Sequence, residues 1–343
     1  MQNLMADHLW ESLSNRILLD VRSPQEFAEG HIPGAFNLPL FSDAERSEVG
    51  TLYKRASKEQ AFIKGLDFVG VKLSGYVQKA TSLAPLKKVI LHCWRGGLRS
   101  KSMATLLQAA DFDVQLLDGG YKAYRAFCRE VLTERAARLI LVGGKTGTGK
   151  TDILIELRSL GEQVIDLEGL AHHKGSVFGM LGEKPQPTNE QFENNLYNTF
   201  PSFDPNQRIW LESESPSIGQ VFIPDLLYKK LRNAPMFVIN RSIEDRVVRL
   251  VTDYGKFDKV DLIRSFAKIE KRLGGQNLKE ALAAIELDDG SLACKIALSY
   301  YDKAYERSMN ENGYTVAVQV TPDKQTDQEV AHQLIKIAEK NGI

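Results

Sequence analysis

A single cysteine stands where a sulfur nucleophile could be made. In Leu91-His92-Cys93-Trp94-Arg95-Gly96-Gly97-Leu98-Arg99-Ser100 the apolar run Val89-Ile90-Leu91 leads into Cys93, and Lys101-Ser102-Met103-Ala104-Thr105-Leu106-Leu107 follows the loop. The pattern reads as strand, tight loop, helix. Loop N–H groups, the positive end of the helix, and Arg95 or Arg99 would then favour a thiolate over a thiol. Gly96 and Gly97 let the main chain close around an anion without Cβ clashes. A loop of Trp94, Arg95, Gly96, Gly97 and Arg99 around Cys93 suits a nucleophile that handles an anionic or polarisable group.

A second constellation is made for phosphate. Gly144-Lys145-Thr146-Gly147-Thr148-Gly149-Lys150-Thr151 fits G-x-x-x-x-G-K-[ST], with the apolar run Leu139-Ile140-Leu141-Val142-Gly143 before it and Asp152-Ile153-Leu154-Ile155-Glu156-Leu157 after it. Strand before and helix after are the context a phosphate-binding loop needs. Gly144, Gly147 and Gly149 allow the main chain to wrap a phosphate, Lys150 brings a compact positive charge, and the Thr151 hydroxyl can hold Mg²⁺. The motif does not specify which phosphate compound is bound.

Acids and histidines follow the loop. Gln163-Val164-Ile165-Asp166-Leu167-Glu168 reads as a strand ending in acids, and Ile209-Trp210-Leu211-Glu212-Ser213-Glu214 as another. Glu212 or Glu214 could orient Mg²⁺ or water, although the aspartate usual in nucleotide hydrolases is missing. His172, His173 and Ser176 share one polar loop. Adjacent histidines point in different directions, so the expectation is a substrate- or anion-contacting loop and no metal site.

The elements that must position these groups are legible too. Strands alternating with helices imply a parallel α/β sheet. Ser23-Pro24-Gln25-Glu26 is a helix start with a capping serine, an early proline and an acid behind it. Asp20, Arg22 and Glu26 are expected to form an ion-pair network beneath the cysteine loop, with His31 stabilising a turn. At 343 residues the chain is long enough for two domains, expected at 1–133 and 134–343, the second with a largely helical part from Tyr228 onward.

Composition narrows the classes. Apolar residues are 43%, charged residues 26% and the formal net charge is zero, so a polyanion would have to meet a local patch. One such patch runs from Lys229 to Arg272, with twelve Lys or Arg against six acids; Arg246, Arg249 and Lys256 are its candidate nucleic-acid contacts. Tyr300-Tyr301-Asp302-Lys303-Ala304-Tyr305 has helical aromatic spacing and is expected to pack in a core. The three cysteines, Cys93, Cys128 and Cys294, have no paired spacing, so neither a disulfide framework nor a zinc site is expected. No apolar stretch approaches the roughly 18 residues that span a bilayer, and Met1–Ser14 has no signal-peptide character, so a cytoplasmic protein with no membrane partner is expected.

These residues carry a resemblance. Asp20-Val21-Arg22 with Glu26, Gly30-His31-Ile32-Pro33-Gly34-Ala35, Cys93 in its loop and Leu117-Asp118-Gly119-Gly120 resemble a rhodanese (sulfurtransferase) domain over residues 1 to about 130. In that family the cysteine accepts sulfur or selenium as a persulfide-type adduct. Cys93-x5-Arg99 is one residue longer than the usual sulfurtransferase loop and is also similar to the loop of phosphatases and arsenate reductases. Fused to a P-loop domain carrying Leu170-Ala171-His172-His173-Lys174-Gly175-Ser176 and Tyr300–Tyr305, the whole chain resembles the bacterial tRNA 2-selenouridine synthase family.

The resemblance implies a transferase acting on wobble 2-thiouridine in tRNA. Its sulfur is first alkylated by geranyl diphosphate, and selenium from selenophosphate then displaces the geranyl thiol to give 2-selenouridine. It also implies tRNA as partner at its anticodon region, a selenophosphate synthetase as donor, selenophosphate and geranyl diphosphate as co-substrates, and Mg²⁺. The residues alone leave open an ATP-dependent kinase or NTPase coupled to a sulfurtransferase domain, a phosphatase-like activity of the first domain, and a non-enzymatic tRNA-binding role.

Overall fold

Both chemical loops spring from strands that are buried on both faces, as the strands of a helix-covered parallel sheet must be. Val89, Ile90 and Leu91 before Cys93, and Ile140, Leu141 and Val142 before the P-loop, are all at most 1% exposed. The computed structural model describes residues 2–135 and 138–343. Its contacts divide into two units, Met1–Val131 with Glu193–Pro201, and Leu132–Phe192 with Ser202–Ile343. The boundary expected after residue 133 lies inside the helix Gly120–Arg135, which the division cuts after Val131.

The first unit holds β1 (Gln2–Leu4), β2 (Ile17–Asp20), β3 (Phe36–Asn37), β4 (Lys88–His92) and β5 (Asp113–Leu117). They form one sheet in the order β1-β5-β4-β2-β3, with every pairing parallel. Leu19, Leu91, Met103 and Leu107 lie in the core between the sheet and the helix Leu98–Ala109. The helix Pro24–Glu29 begins with the capping box read from its sequence, Ser23 accepting from the Glu26 N–H while the Glu26 carboxylate accepts from the Ser23 N–H. Such a cap contributes about 1 kcal/mol. Glu26 therefore has a fixed position, from which it meets a second partner described below.

The second unit holds β6 (Leu139–Gly143), β7 (Gln163–Ile165), β8 (Ile209–Glu212), a short antiparallel pair β9 (Ser217–Ile218) and β10 (Val221–Phe222), then β11 (Met236–Ile239) and β12 (Val316–Val320). Its main sheet has the order β12-β11-β6-β8-β7, all parallel. The part after Tyr228 is thus not helical throughout. Met236-Phe237-Val238-Ile239 is a four-residue apolar run, and periodicity alone cannot tell a buried strand of that length from a piece of helix. Between β11 and β12 the helices Lys259–Lys268, Gly275–Glu286 and Gly290–Asn312 enclose a separate apolar cluster with Phe178, Phe266 and Ile285. Among the described residues no helix is long and apolar enough to cross a membrane.

Candidate functional site

Cys93 follows the last residue of β4 and is 3% exposed. Its Sγ lies 3.3 Å from the Ser100 hydroxyl, which is also placed to donate to the Gly97 carbonyl at 3.2 Å. The turn after β5 closes beneath the loop: Tyr121 N–H donates to the Cys93 carbonyl (2.9 Å) and Lys122 N–H to that of Trp94 (3.0 Å). Gly120 has a φ of +61°, and a Cβ there would sit 2.3 Å from the Cys93 carbonyl oxygen and 2.6 Å from the Gly96 nitrogen. Only glycine fits, which gives the Leu117-Asp118-Gly119-Gly120 motif its physical meaning. Burial pushes the other two thiols up, Cys128 to about 12 and Cys294 to about 11, which leaves them poor nucleophiles at neutral pH.

The charges around this loop are paired rather than networked as expected. Arg22, 1% exposed, donates to Asp20 (2.6 Å) and to the Gly30 carbonyl (2.6 Å). Its guanidinium lies 3.9 Å from the Tyr121 ring centroid. Glu26 instead takes Arg99 at 2.5 and 3.2 Å, with Arg46 at 3.6 Å. Burial opposes ionisation of both acids, but His92 and Arg22 at Asp20, and Arg99 at Glu26, hold each below the usual carboxylate range. Arg99 is therefore committed to Glu26, whereas Arg95 is exposed and has no hydrogen-bond partner among the described residues. Trp94, 38% exposed, stands beside Tyr121 at 5.7 Å between ring centroids. His92 is buried next to Asp20, and its burial drives it toward the neutral form.

The P-loop joins β6 to the helix Lys150–Ser159. Gly144, Gly147 and Gly149 have φ values of +148°, +82° and +84°. Lys150 Nζ donates to the Gly144 carbonyl at 3.0 Å, and the Thr151 hydroxyl to Glu168 at 3.1 Å. A cavity of about 520 Å³ opens over the loop, lined by Lys150, Thr151, Glu168, Gly175, Ser176 and Glu214 among others.

Three carboxylates crowd this cavity. Glu212, 1% exposed, lies behind the wall and accepts from the Glu168 N–H at 2.7 Å. Glu214 and Glu168 line the space itself, and a Cβ on Gly175 would stand 2.8 Å from one and 3.1 Å from the other. Burial first, and then the nearby Glu168 charge, raises Glu212 and Glu214 above the carboxylate range; burial also raises Glu168 against the pull of Lys150. Glu168 is the site residue that sequence reasoning underweighted: it was visible only as a strand-end acid, and its tie to Thr151 is a tertiary fact.

No group of three or more His, Cys, Asp or Glu side chains among the described residues is arranged to hold a metal ion. The hydroxyl–carboxylate pair of Thr151 and Glu168 still fits Mg²⁺, because Mg²⁺ at phosphate sites keeps water and substrate oxygens and needs only one or two protein ligands.

The polar loop after β7 is used in part. Lys174, Gly175 and Ser176 line the cavity, whereas neither histidine does. His172 ends the helix Leu167–Ala171 in a left-handed conformation with Nδ1 2.9 Å from the Pro185 carbonyl oxygen. His173 packs its ring toward Gly219 and is driven toward the neutral form by burial. Both serve the shape of the loop.

The basic stretch also divides. Arg246, expected on a nucleic-acid face, is 3% exposed; it donates to the Thr146 carbonyl at 2.8 Å and pairs with Asp302 at 2.5 Å. Arg249 pairs with Asp327 at 2.8 Å and also with Asp152. Arg241, from the same stretch, donates to the Thr148 carbonyl at 3.1 Å. These arginines take up P-loop carbonyls and brace its helix, and Arg246 has no surface to offer a polyanion. Lys256 is exposed. Tyr300 and Tyr301 pack against the apolar cluster, as expected, and Tyr301 also borders the cavity and accepts from the Val177 N–H at 3.2 Å.

Against known proteins, residues 137–335 match the family described as the tRNA 2-selenouridine synthase AAA domain, and residues 4–127 match the rhodanese-like domain. The chain belongs to the tRNA 2-selenouridine synthase family. It is 34% identical to the tRNA 2-selenouridine synthase of Shewanella denitrificans over 339 residues, covering 87% of this chain and 90% of that one. The corresponding protein of Shewanella frigidimarina is 35% identical over 291 residues, covering 78% of each. Among solved structures, the N-terminal domain of a protein from Clostridium difficile 630 is 39% identical, covers 37% of this chain and 98% of that one, and has a TM-score of 0.34. In family terms, Cys93 and its loop fall in the rhodanese-like region, and Lys150, Thr151, Glu168 and Glu214 in the synthase-specific region.

Proposed function

We propose that this chain is a tRNA-modifying transferase that converts wobble 2-thiouridine to 2-selenouridine through S-geranyl-2-thiouridine, with geranyl diphosphate and selenophosphate as co-substrates. The observation that carries the reading is the presence, in one member of this family, of two anion cradles of different chemistry: a sulfur nucleophile after β4 and a phosphate loop after β6.

In the first step the thiocarbonyl sulfur attacks C1 of geranyl diphosphate, the C1–O bond breaks, and diphosphate leaves. Lys150 and the loop N–H groups neutralise the departing charge. Alkylation at sulfur releases the N3 proton of the base, and Glu214, which lines the cavity, is the group placed to accept it when ionised. Thr151 and Glu168 would hold Mg²⁺, which when bound supplies further charge neutralisation. In the second step the selenium of selenophosphate, at the oxidation level of selenide, adds to C2; geranyl thiol departs, and water cleaves the P–Se bond to give phosphate. Cys93 contacts the selenium atom, and the unpaired Arg95 meets the anion. Alkylation makes a poor leaving group into a thiol that departs readily, which is why the two steps belong on one chain.

The test is mass spectrometry of nucleosides from 2-thiouridine tRNA incubated with the protein and geranyl diphosphate, with or without selenophosphate. S-geranyl-2-thiouridine without the selenium donor and 2-selenouridine with it is the expected result. Neither product, with ATP consumed and sulfur transferred, would replace this reading by the kinase-coupled sulfurtransferase.

A further inference from the structure

The cavity above the P-loop continues past the phosphate cradle. A second cavity of about 410 Å³ shares Thr146, Ser176, Leu250, Tyr254 and Tyr301 with it, so the two meet along a common rim. Beyond that rim the chemistry changes. The walls are Phe178, Leu262, Phe266 and Ile285, drawn from the apolar cluster under the helical part of the second unit.

One helix forms the floor of both spaces. Along Gly290–Asn312, the positions Gly290, Ala293 and Ala297 border the apolar cavity, Tyr301 borders both, and Ala304 and Tyr305 border the polar one. Steps of three and four keep these positions on one face. At 1.5 Å per residue, the floor from Tyr301 to Gly290 is about 16 Å long. It is a trough because its residues are small: Ala293 and Ala297 are 5% and 8% exposed and present a single methyl group each. The far end is polar again, closed by the Lys259–Asp288 ion pair at 2.7 Å.

A ligand matching both spaces has a phosphate or diphosphate head and a long tail without hydrogen-bonding edges. A nucleoside does not match, since its base and ribose would leave polar edges against Phe178, Leu262 and Phe266, and unpaired polar groups are costly to bury. We propose that this apolar trough is the tail site of a prenyl diphosphate whose head sits on the P-loop, and that Ala297 on the floor and Leu262 on the wall set the chain length it accepts. The proposal rests on the functional reading above and adds to it a location and a specificity determinant.

Calorimetric titration of the full chain with inorganic pyrophosphate, geranyl diphosphate, farnesyl diphosphate and ATP tests it. The wild-type protein should bind geranyl diphosphate more tightly than pyrophosphate. Ala297→Leu, which puts a side chain into the trough, should weaken geranyl diphosphate by about tenfold or more while leaving pyrophosphate within about twofold. Leu262→Ala, at a half-buried wall position, should shift preference toward farnesyl diphosphate by about tenfold. The pyrophosphate arm reports on an intact P-loop in each variant, so misfolding is recognised as such and the other variant decides.

If the wild type prefers geranyl diphosphate but the properly folded variants keep its preference, the tail lies elsewhere; the proposal is overturned while the functional reading stands. If ATP binds and the prenyl group adds nothing to pyrophosphate affinity, the functional reading falls and takes the proposal with it.

Discussion

The cysteine loop and the P-loop are built alike but differ in how their charges are balanced. Each follows a strand buried on both faces, turns through glycine and opens a helix. Around Cys93 the ionic groups are settled in local pairs, Asp20 with Arg22 and Glu26 with Arg99, and both acids sit below their usual range. Around Lys150, arginines are spent on P-loop carbonyls and on Asp302 and Asp327, leaving Glu168, Glu212 and Glu214 crowded and raised. The first cradle is charge-balanced before any substrate arrives. The second holds crowded carboxyls whose protonated forms are favoured, so a cationic partner would compete with protons for them.

The largest effect should come from Cys93, the residue that contacts the selenium. Cys93→Ser should lower selenium incorporation by roughly 10³-fold or more and leave geranyl transfer intact, as read by nucleoside mass spectrometry; loss of both would erase the contrast between the two cradles. Next, Lys150→Ala should slow geranyl transfer by roughly 10²- to 10³-fold, and a variant with unchanged transfer would show that the P-loop does not hold the leaving diphosphate.

Stability sharpens the comparison. Arg246→Ala breaks a nearly buried ion pair and frees the Thr146 carbonyl, so urea denaturation should report a loss of about 3 kcal/mol. Lys256→Ala should leave stability unchanged, weaken tRNA binding a few-fold and reduce its salt slope by about one. If the two variants behave alike in both assays, the division of the basic stretch into brace and surface is wrong.

The smallest effect is in the pH dependence, where the two regions should move in opposite directions. Glu26, normally near 4.5, is lowered in the fold; its contribution is complete above that value and is lost as pH falls through the lower folded value. Glu212 is raised well above 4.5; its protonation stabilises the fold below 4.5, and that contribution is lost as pH rises through the higher folded value. Glu212→Gln should therefore gain stability over wild type at pH 8, with the gain shrinking toward pH 5, whereas Glu26→Gln should lose stability at pH 8, with the loss shrinking as pH falls below 4. Thermal melts across that range check both signs.

Much of this was legible because the chemistry is contiguous in sequence. Cys93 with its glycines, Gly144–Thr151 and the Ser23–Glu26 cap are each short motifs whose spacing dictates the local backbone, and the parallel sheets follow from the alternation of strands and helices. What escaped depends on tertiary neighbours. A charge count cannot distinguish Arg246, bound to the Thr146 carbonyl, from exposed Lys256 ten residues later. Nor can it show that Glu26 pairs with Arg99, seventy-three residues away, instead of with Arg22. His172 and His173 looked chemical by composition, but a left-handed turn and packing near Gly219 claim them. Tyr301 read as core from helical spacing and does pack against the apolar cluster; that it also borders the cavity depends on what packs opposite it.

The most direct test of the central claim, two separable cradles on one chain, is a complementation measurement. S-geranyl tRNA made by Cys93→Ser is purified and given to Lys150→Ala with selenophosphate, and nucleosides are read by mass spectrometry. The account predicts 2-selenouridine at the wild-type yield, because the second step does not need the P-loop lysine. Failure of Lys150→Ala to selenate the supplied intermediate, with wild type succeeding in parallel, would contradict it.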